Sequence, residues 1–206
     1  MNWRENGEEK VNKEECKIQN IGKSTMNIKK IEKNKAVILD RDGTLVQDTG
    51  HVHKAEDFRL LPNVIEGLEK LKKFMLFVVT NQSGIGRGLY KLEDFKKFNA
   101  IMVDELERNK IKIEKIYYCP HKPEDNCVCR KPKTKFLKDA AKAYDIDLKK
   151  SFVIGDQIAD IELGKNGNCK SVLVLTGNGK KTEKEVKADF VAKDLLDAAR
   201  WILKNG

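Results

Sequence analysis

Two groups of residues in this 206-residue chain have the types and spacing to do chemistry. The first is the string Asp40-Arg41-Asp42-Gly43-Thr44, which follows the apolar run Ala36-Val37-Ile38-Leu39. Side chains two apart on a strand share a face, so both carboxylates are expected to address one bound group. One carboxylate can attack phosphorus as a covalent nucleophile while the other handles the leaving group's proton. The second group is Cys119, His121, Cys127 and Cys129, spaced C-x-H-x5-C-x-C. Four N and S donors match a closed tetrahedral Zn²⁺ site of the structural kind, which keeps no vacant position for water. A disulfide knot is disfavoured in a reducing compartment, and C-x-C is not the C-x-x-C spacing of redox pairs.

These groups need elements to position them. Short apolar runs predict strands over 36–40, 74–80, 115–119, 151–156 and 171–176, with a short strand before the last helix. Apolar residues at helical spacing predict helices over 64–74, 93–109, 133–145 and 158–166, and a helix closing the chain. Pro62 and Asn63 are start signals for the first of these. Strands alternating with helices specify an α/β fold: a mostly parallel sheet with helices on both faces. In such sheets ligands collect at the carboxyl ends of the strands. The loops Asp40–Leu45, Thr80–Gly88 and Gly155–Asp160 all leave strands there and are expected to converge.

Composition narrows the classes. The chain is 40% hydrophobic and 35% charged, with a net charge of +9. Lys and Glu alternate along most of it, as on solvated helix faces, and no basic stripe is interleaved with aromatics. No nucleic-acid partner is therefore expected, and a basic surface suits a small phosphorylated substrate equally well. No run reaches the eighteen apolar residues of a membrane span, and the N-terminus lacks the apolar core of a secretory signal. A cytoplasmic location is the expectation, with no membrane partner. Residues 1–34 are polar, without apolar periodicity, and are expected to be a disordered or non-core extension of a domain spanning 35–206. Met26 is a candidate alternative start.

The string DRDGTL resembles the DxDGT signature of the haloacid dehalogenase (HAD) superfamily, and the other loops agree with it. Thr80 and Asn81 end a strand like the superfamily's phosphate-binding motif. Lys131 is similar to its phosphoryl-neutralising lysine, and Asp156 and Asp160 to its acidic Mg²⁺-binding loop. Across residues 36–203 the chain is similar to the D-glycero-D-manno-heptose 1,7-bisphosphate 7-phosphatases, through 48–68, 80–88 and 116–132. The related histidinol-phosphate phosphatases share the cysteine loop but usually differ at SGIGRG. The resemblance implies a HAD-type, Rossmann-like fold without a large cap, in which the cysteine loop binds Zn²⁺. It implies Mg²⁺-dependent phosphoryl transfer, with Asp40 as nucleophile, Asp42 as acid and base, and Thr80 and Lys131 offsetting charge. Mg²⁺ is expected on Asp40, Asp42 and Asp156, and structural Zn²⁺ on Cys119, His121, Cys127 and Cys129. Asp48, Thr49, Gly50, His51, Asn81, Gln82, Ser83 and Arg130 are the implied substrate contacts, and a monomer acting in nucleotide-activated heptose biosynthesis the implied assembly and role. Histidinol-phosphate phosphatase is the alternative activity; a polynucleotide 3′-phosphatase or a non-enzymatic nucleic-acid-binding zinc module follows. His51 stands where the family usually has Tyr, and Gln157 where it commonly has Lys.

Overall fold

The computed structural model describes residues 32–206. Six parallel strands form one sheet: β1 (Ala36–Leu39), β2 (Met75–Asn81), β3 (Lys115–Cys119), β4 (Phe152–Gly155), β5 (Lys170–Val174) and β6 (Phe190–Ala192). Their order is β3-β2-β1-β4-β5-β6, so the chain direction across the sheet reverses between β1 and β4. That reversal is where a crevice opens at the carboxyl edge of a doubly wound sheet. The helices are α1 (Val64–Lys70), α2 (Ser83–Gly86), α3 (Leu92–Arg108), α4 (Lys135–Tyr144), α5 (Ile158–Asn166), α6 (Gly179–Thr182) and α7 (Leu195–Asn205).

Period-2 alternation divides the core. Val37, Leu39, Leu76 and Val78 pack with residues of α1, α3 and α7, including Leu68, Met102 and Ala198. Ala36, Ile38, Phe77 and Val79 pack on the opposite face with Leu137 of α4 and Leu163 of α5. Helices on both faces leave only the strand ends for a ligand. Trp201 anchors the last helix, stacked on Phe190 with ring centroids 5.0 Å apart.

The periodicity located every strand and long helix to within a few residues, but α2 and α6 have no such signal. Asn63 does sit before α1, although its side chain does not cap that helix. It donates instead to Asp194 Oδ2 at 2.7 Å, while Asp194 Oδ1 accepts from Asp197 N at the start of α7. The extension expected over 1–34 lies outside the described residues up to residue 31, as does Cys16. Asn34 itself belongs with the sheet domain, because its amide donates to Asp145 O at 2.9 Å and its carbonyl accepts from Asp147 N. No helix among the described residues is long and apolar enough to cross a membrane.

Candidate active site

Strand β1 stops at Leu39, and the chain then folds back on itself. The amides of Leu45 and Val46 donate to Arg41 O, and Gly43 N donates to Val46 O. Gly43 takes φ +81°, and any side chain there would run into the Asp156 carboxylate. The turn sends the two aspartates different ways, although both line the same pocket. Asp40 meets Lys131 Nζ at 2.5 Å. Asp42 is gripped from behind: Arg41 Nε donates to its Oδ1 and Arg41 Nη2 to its Oδ2, both at 2.9 Å. Burial raises the pKa of Asp42, and the Arg41 charge opposes that rise.

Lys131 is 6% exposed and lies between two carboxylates, Asp40 and Asp160, the latter at 2.7 Å. Burial alone would lower its pKa; Asp160 and Asp40 outweigh that and hold the ammonium charged. Asp160 is fixed by a second bond, accepting from Gln157 N at 3.0 Å at the start of α5. Asn81, at the end of β2, holds the lysine's main chain from both sides. Its Oδ1 accepts from Lys131 N at 3.0 Å, and its Nδ2 donates to Lys131 O at 3.3 Å.

Asp156 directly follows β4 and is fully buried, with Oδ2 accepting from Asn178 N at 2.7 Å. Its Oδ1 is buried without a hydrogen-bond partner. Burial, then the neighbouring Asp40, push this carboxyl up to about 8. One oxygen each of Asp40, Asp156 and Asp160 lie within 4.8 Å of one another. An orphaned carboxylate oxygen beside a second acid is a hard-oxygen environment suited to a divalent cation such as Mg²⁺. The Asp42 carboxylate, also expected on that ion, accepts from Arg41 and Gln82. The alternation of β1 ends before residue 42, so its side chain does not extend the strand's face.

The pocket above these groups encloses about 350 Å³ and is lined by Asp40, Asp42, Thr80 and Lys131, with Asp48, Gly50, His51, Asn81, Gln82, Ser83 and Arg130 around them. Thr49 is exposed and does not line it. Asn81 and Gln82 reach it, but their amide groups serve protein partners, which the motif alone did not reveal. Tyr90 and Ala159 also line it and carried no sequence signal. Neither did the loop after β5, where Thr176 Oγ1 donates to Gly43 O at 2.7 Å and so ties two strand ends together. His53 does not line the pocket; its ring stacks on Tyr90 at 4.5 Å.

The cysteine loop lies beside this pocket. Cys119 Sγ is 3.4 Å from Cys127 Sγ and 3.6 Å from His121 Nδ1, and Cys129 Sγ is 3.6 Å and 3.4 Å from the same two atoms. A tetrahedron with metal–sulfur bonds of about 2.3 Å has edges of about 3.8 Å. The donor set therefore surrounds a zinc-sized centre, and these separations are far from a disulfide. Burial pushes the Cys119 thiol up to about 12. Cys127 lies down near about 7: burial opposes this, but backbone N–H groups of Cys129 and Arg130 favour its thiolate. The loop is tied to β2, since Gln82 N donates to Cys119 O at 2.7 Å and Gly86 N to Pro120 O at 2.9 Å. Lys133 Nζ closes it from the other side by donating to Cys127 O and Asn126 O.

A doubly wound parallel sheet, paired aspartates after its first strand, a lysine clamped to the first of them and an acidic loop after β4 define the HAD-like hydrolases. The HAD-hydrolase-like family model matches residues 128–198. The D-glycero-beta-D-manno-heptose-1,7-bisphosphate 7-phosphatase of Haemophilus influenzae is 41% identical over 181 residues, covering 84% of this chain and 98% of the relative. The D-glycero-alpha-D-manno-heptose-1,7-bisphosphate 7-phosphatase of Campylobacter jejuni is 38% identical over 173 residues, covering 79% and 99%. The crystal structure of the D,D-heptose 1,7-bisphosphate phosphatase from B. bronchiseptica, complexed with magnesium and phosphate, is also similar. It superimposes with a TM-score of 0.78 at 31% identity, covering 84% of this chain and 99% of that one. The chain belongs to the D-glycero-D-manno-heptose 1,7-bisphosphate 7-phosphatase family.

Proposed function

We propose that this protein is a phosphoric monoester hydrolase that removes the 7-phosphate from D-glycero-D-manno-heptose 1,7-bisphosphate, in the making of nucleotide-activated heptose. One observation carries the reading of a doubly phosphorylated substrate. The pocket floored by Asp40, Asp42 and Lys131 shares His51, Ser83 and Arg130 with a neighbouring bay of about 690 Å³ that adds Arg87 and Lys122. One end of the site can thus take the reacting phosphoryl group while cations wait for a second anion.

In this reading Asp40 attacks phosphorus and forms an aspartyl-phosphate as the bond to the sugar oxygen breaks. Asp42 delivers its proton to that oxygen, then withdraws a proton from the water that hydrolyses the intermediate. Lys131, held charged by Asp160 and Asp40, and the Thr80 hydroxyl offset the negative charge around phosphorus. Asp40 and Asp156 would hold Mg²⁺, which when bound supplies further neutralisation of that charge. Cys119, His121, Cys127 and Cys129 would hold Zn²⁺ as a closed, structural centre that fixes the backbone leading into Arg130 and Lys131. Arg130, Ser83, His51 and the Asp48–Gly50 turn are positioned to contact the sugar.

Steady-state kinetics on the α and β anomers of the heptose bisphosphate and on histidinol phosphate test this function. A kcat/KM for at least one heptose anomer about 10²-fold or more above that for histidinol phosphate is expected. Preference for histidinol phosphate would overturn the substrate while leaving the phosphatase chemistry standing.

A further inference from the structure

The side chain of Gln82 is fully committed to protein partners. It is 3% exposed, and its Oε1 accepts from Tyr90 Oη at 2.7 Å and from Arg41 Nη2 at 3.2 Å. Its Nε2 donates to Asp42 Oδ2 at 2.7 Å and to Thr80 Oγ1 at 2.9 Å. A primary amide has two donors and two acceptor positions, and all four are used here.

This pattern has a fixed direction. The Arg41 guanidinium can only donate, so the amide oxygen must face it, and the Tyr90 hydroxyl then donates to that same oxygen. The amide nitrogen must consequently face Asp42 and Thr80. Thr80 Oγ1 receives a hydrogen bond from it, which leaves the threonine's one O–H free to be donated into the pocket. Asp42 is caught between this amide and the Arg41 fork, so its carboxylate has one orientation towards the pocket.

The clamp is itself held rigidly. Arg41 is fully buried, lies 4.7 Å from the Phe98 ring centroid, and donates further to Val52 O at 3.0 Å. The Tyr90 ring is pinned by the stacked His53 on one side. It lies so close to Gly84 that any side chain at that position would collide with the ring.

We infer that Gln82, oriented by Tyr90 and Arg41, is a positioning residue that aims the Asp42 carboxylate at the leaving oxygen and turns the Thr80 hydroxyl to the phosphoryl group. The inference rests on the proposed phosphatase chemistry and goes beyond it, because none of the three needs to touch the substrate's reacting atoms. In the assisted step the phosphorus–oxygen bond to the alcohol breaks as the bond to Asp40 forms. The proton on Asp42 moves to the departing oxygen, and this matters only when that oxygen leaves as a poor, strongly basic group.

The test exploits that dependence. Single-turnover alcohol release is measured for a sugar phosphate, whose alkoxide needs a proton, and for p-nitrophenyl phosphate, whose phenolate does not. Gln82→Leu should slow both through Thr80, but should slow the sugar phosphate more, lowering the ratio of the two rates about tenfold. Tyr90→Phe, which deletes only one hydroxyl, should lower the ratio about threefold with KM for the sugar phosphate within about twofold of wild type. A ratio unchanged in both variants would overturn the inference, since general damage to the site slows both esters alike. Wild-type turnover is the separate control: a wild-type protein inactive on both esters would overturn the phosphatase reading and this inference together.

Discussion

Two donor clusters lie side by side at the carboxyl edge of the sheet, and they are built on opposite plans. Cys119, His121, Cys127 and Cys129 come from one short segment, present soft N and S atoms, and close on themselves. Asp40, Asp156 and Asp160 come from two strand ends and a helix start and present hard oxygens, with Lys131 paired to Asp40 and Asp160; of these, Asp40 and Lys131 line the pocket. The difference teaches a division of labour. A closed soft site can crosslink a loop at little cost in long-range order, because its ligands are already close along the chain. An open hard site can do chemistry because its charge is only partly compensated: Asp156 keeps an orphaned oxygen, and Lys131 is shared. The two plans meet at Arg130 and Lys131, where the chain passes directly from the loop to the floor of the pocket.

The sharpest way to break this contrast is at the open site. Asp40→Asn removes the nucleophile while keeping the size of the side chain, and turnover should fall at least about 10⁴-fold with the fold retained. Phosphate release measured beside circular dichroism checks this; appreciable residual activity would remove Asp40 from its role. Lys131→Met should cost about 10²–10³-fold in kcat. It should also destabilise the protein by about 3 kcal/mol in urea unfolding, because Asp40 and Asp160 would remain buried without their cation.

At the closed site the effect should be smaller and indirect. Cys127→Ser should abolish stoichiometric zinc, measured by elemental analysis, and lower kcat about tenfold as Arg130 and Lys131 lose their support. Full activity in zinc-free protein would sever the loop from the site. The smallest effect concerns pH. Burial, then the neighbouring Asp40, push the Asp156 carboxyl up to about 8 in the folded protein, well above an ordinary aspartate, so the folded state binds this proton more tightly than the unfolded chain. In chelator-treated protein its contribution to stability is therefore fully present below about pH 4 and is lost as pH rises towards 8. Added Mg²⁺ should bind more tightly as pH rises through that range, because the ligand must lose its proton. Thermal unfolding against pH, with and without Mg²⁺, reads the sign; a melting point that climbs from pH 4 to 8 in the metal-free protein would contradict the environment assigned to Asp156.

The same contrast governs what could be read from residues alone. The clustering of Cys119, His121, Cys127 and Cys129 was legible because the four donors share one short segment. The strands and long helices were legible because alternation and helical spacing report burial directly. The carboxylate floor was legible only through resemblance, loop by loop, and the hold of Arg41 and Gln82 on the Asp42 carboxylate was not legible at all. Asn81 and Gln82 were read as substrate contacts because they sit in a ligand-binding loop. What their amides bind depends on Lys131, Arg41 and Tyr90, the first of which lies fifty residues from Asn81.

Residue types and their order thus determined the α/β class and the grouping of the soft donors Cys119, His121, Cys127 and Cys129. Each is written in periodicity or short-range spacing. Only the tertiary structure decided which carboxylates converge, which oxygen of Asp156 is left without a partner, and in which direction Gln82 donates. Those properties arise where separate strand ends are brought within hydrogen-bond distance. There, burial and the count of available donors, rather than any local pattern, fix what each group can do.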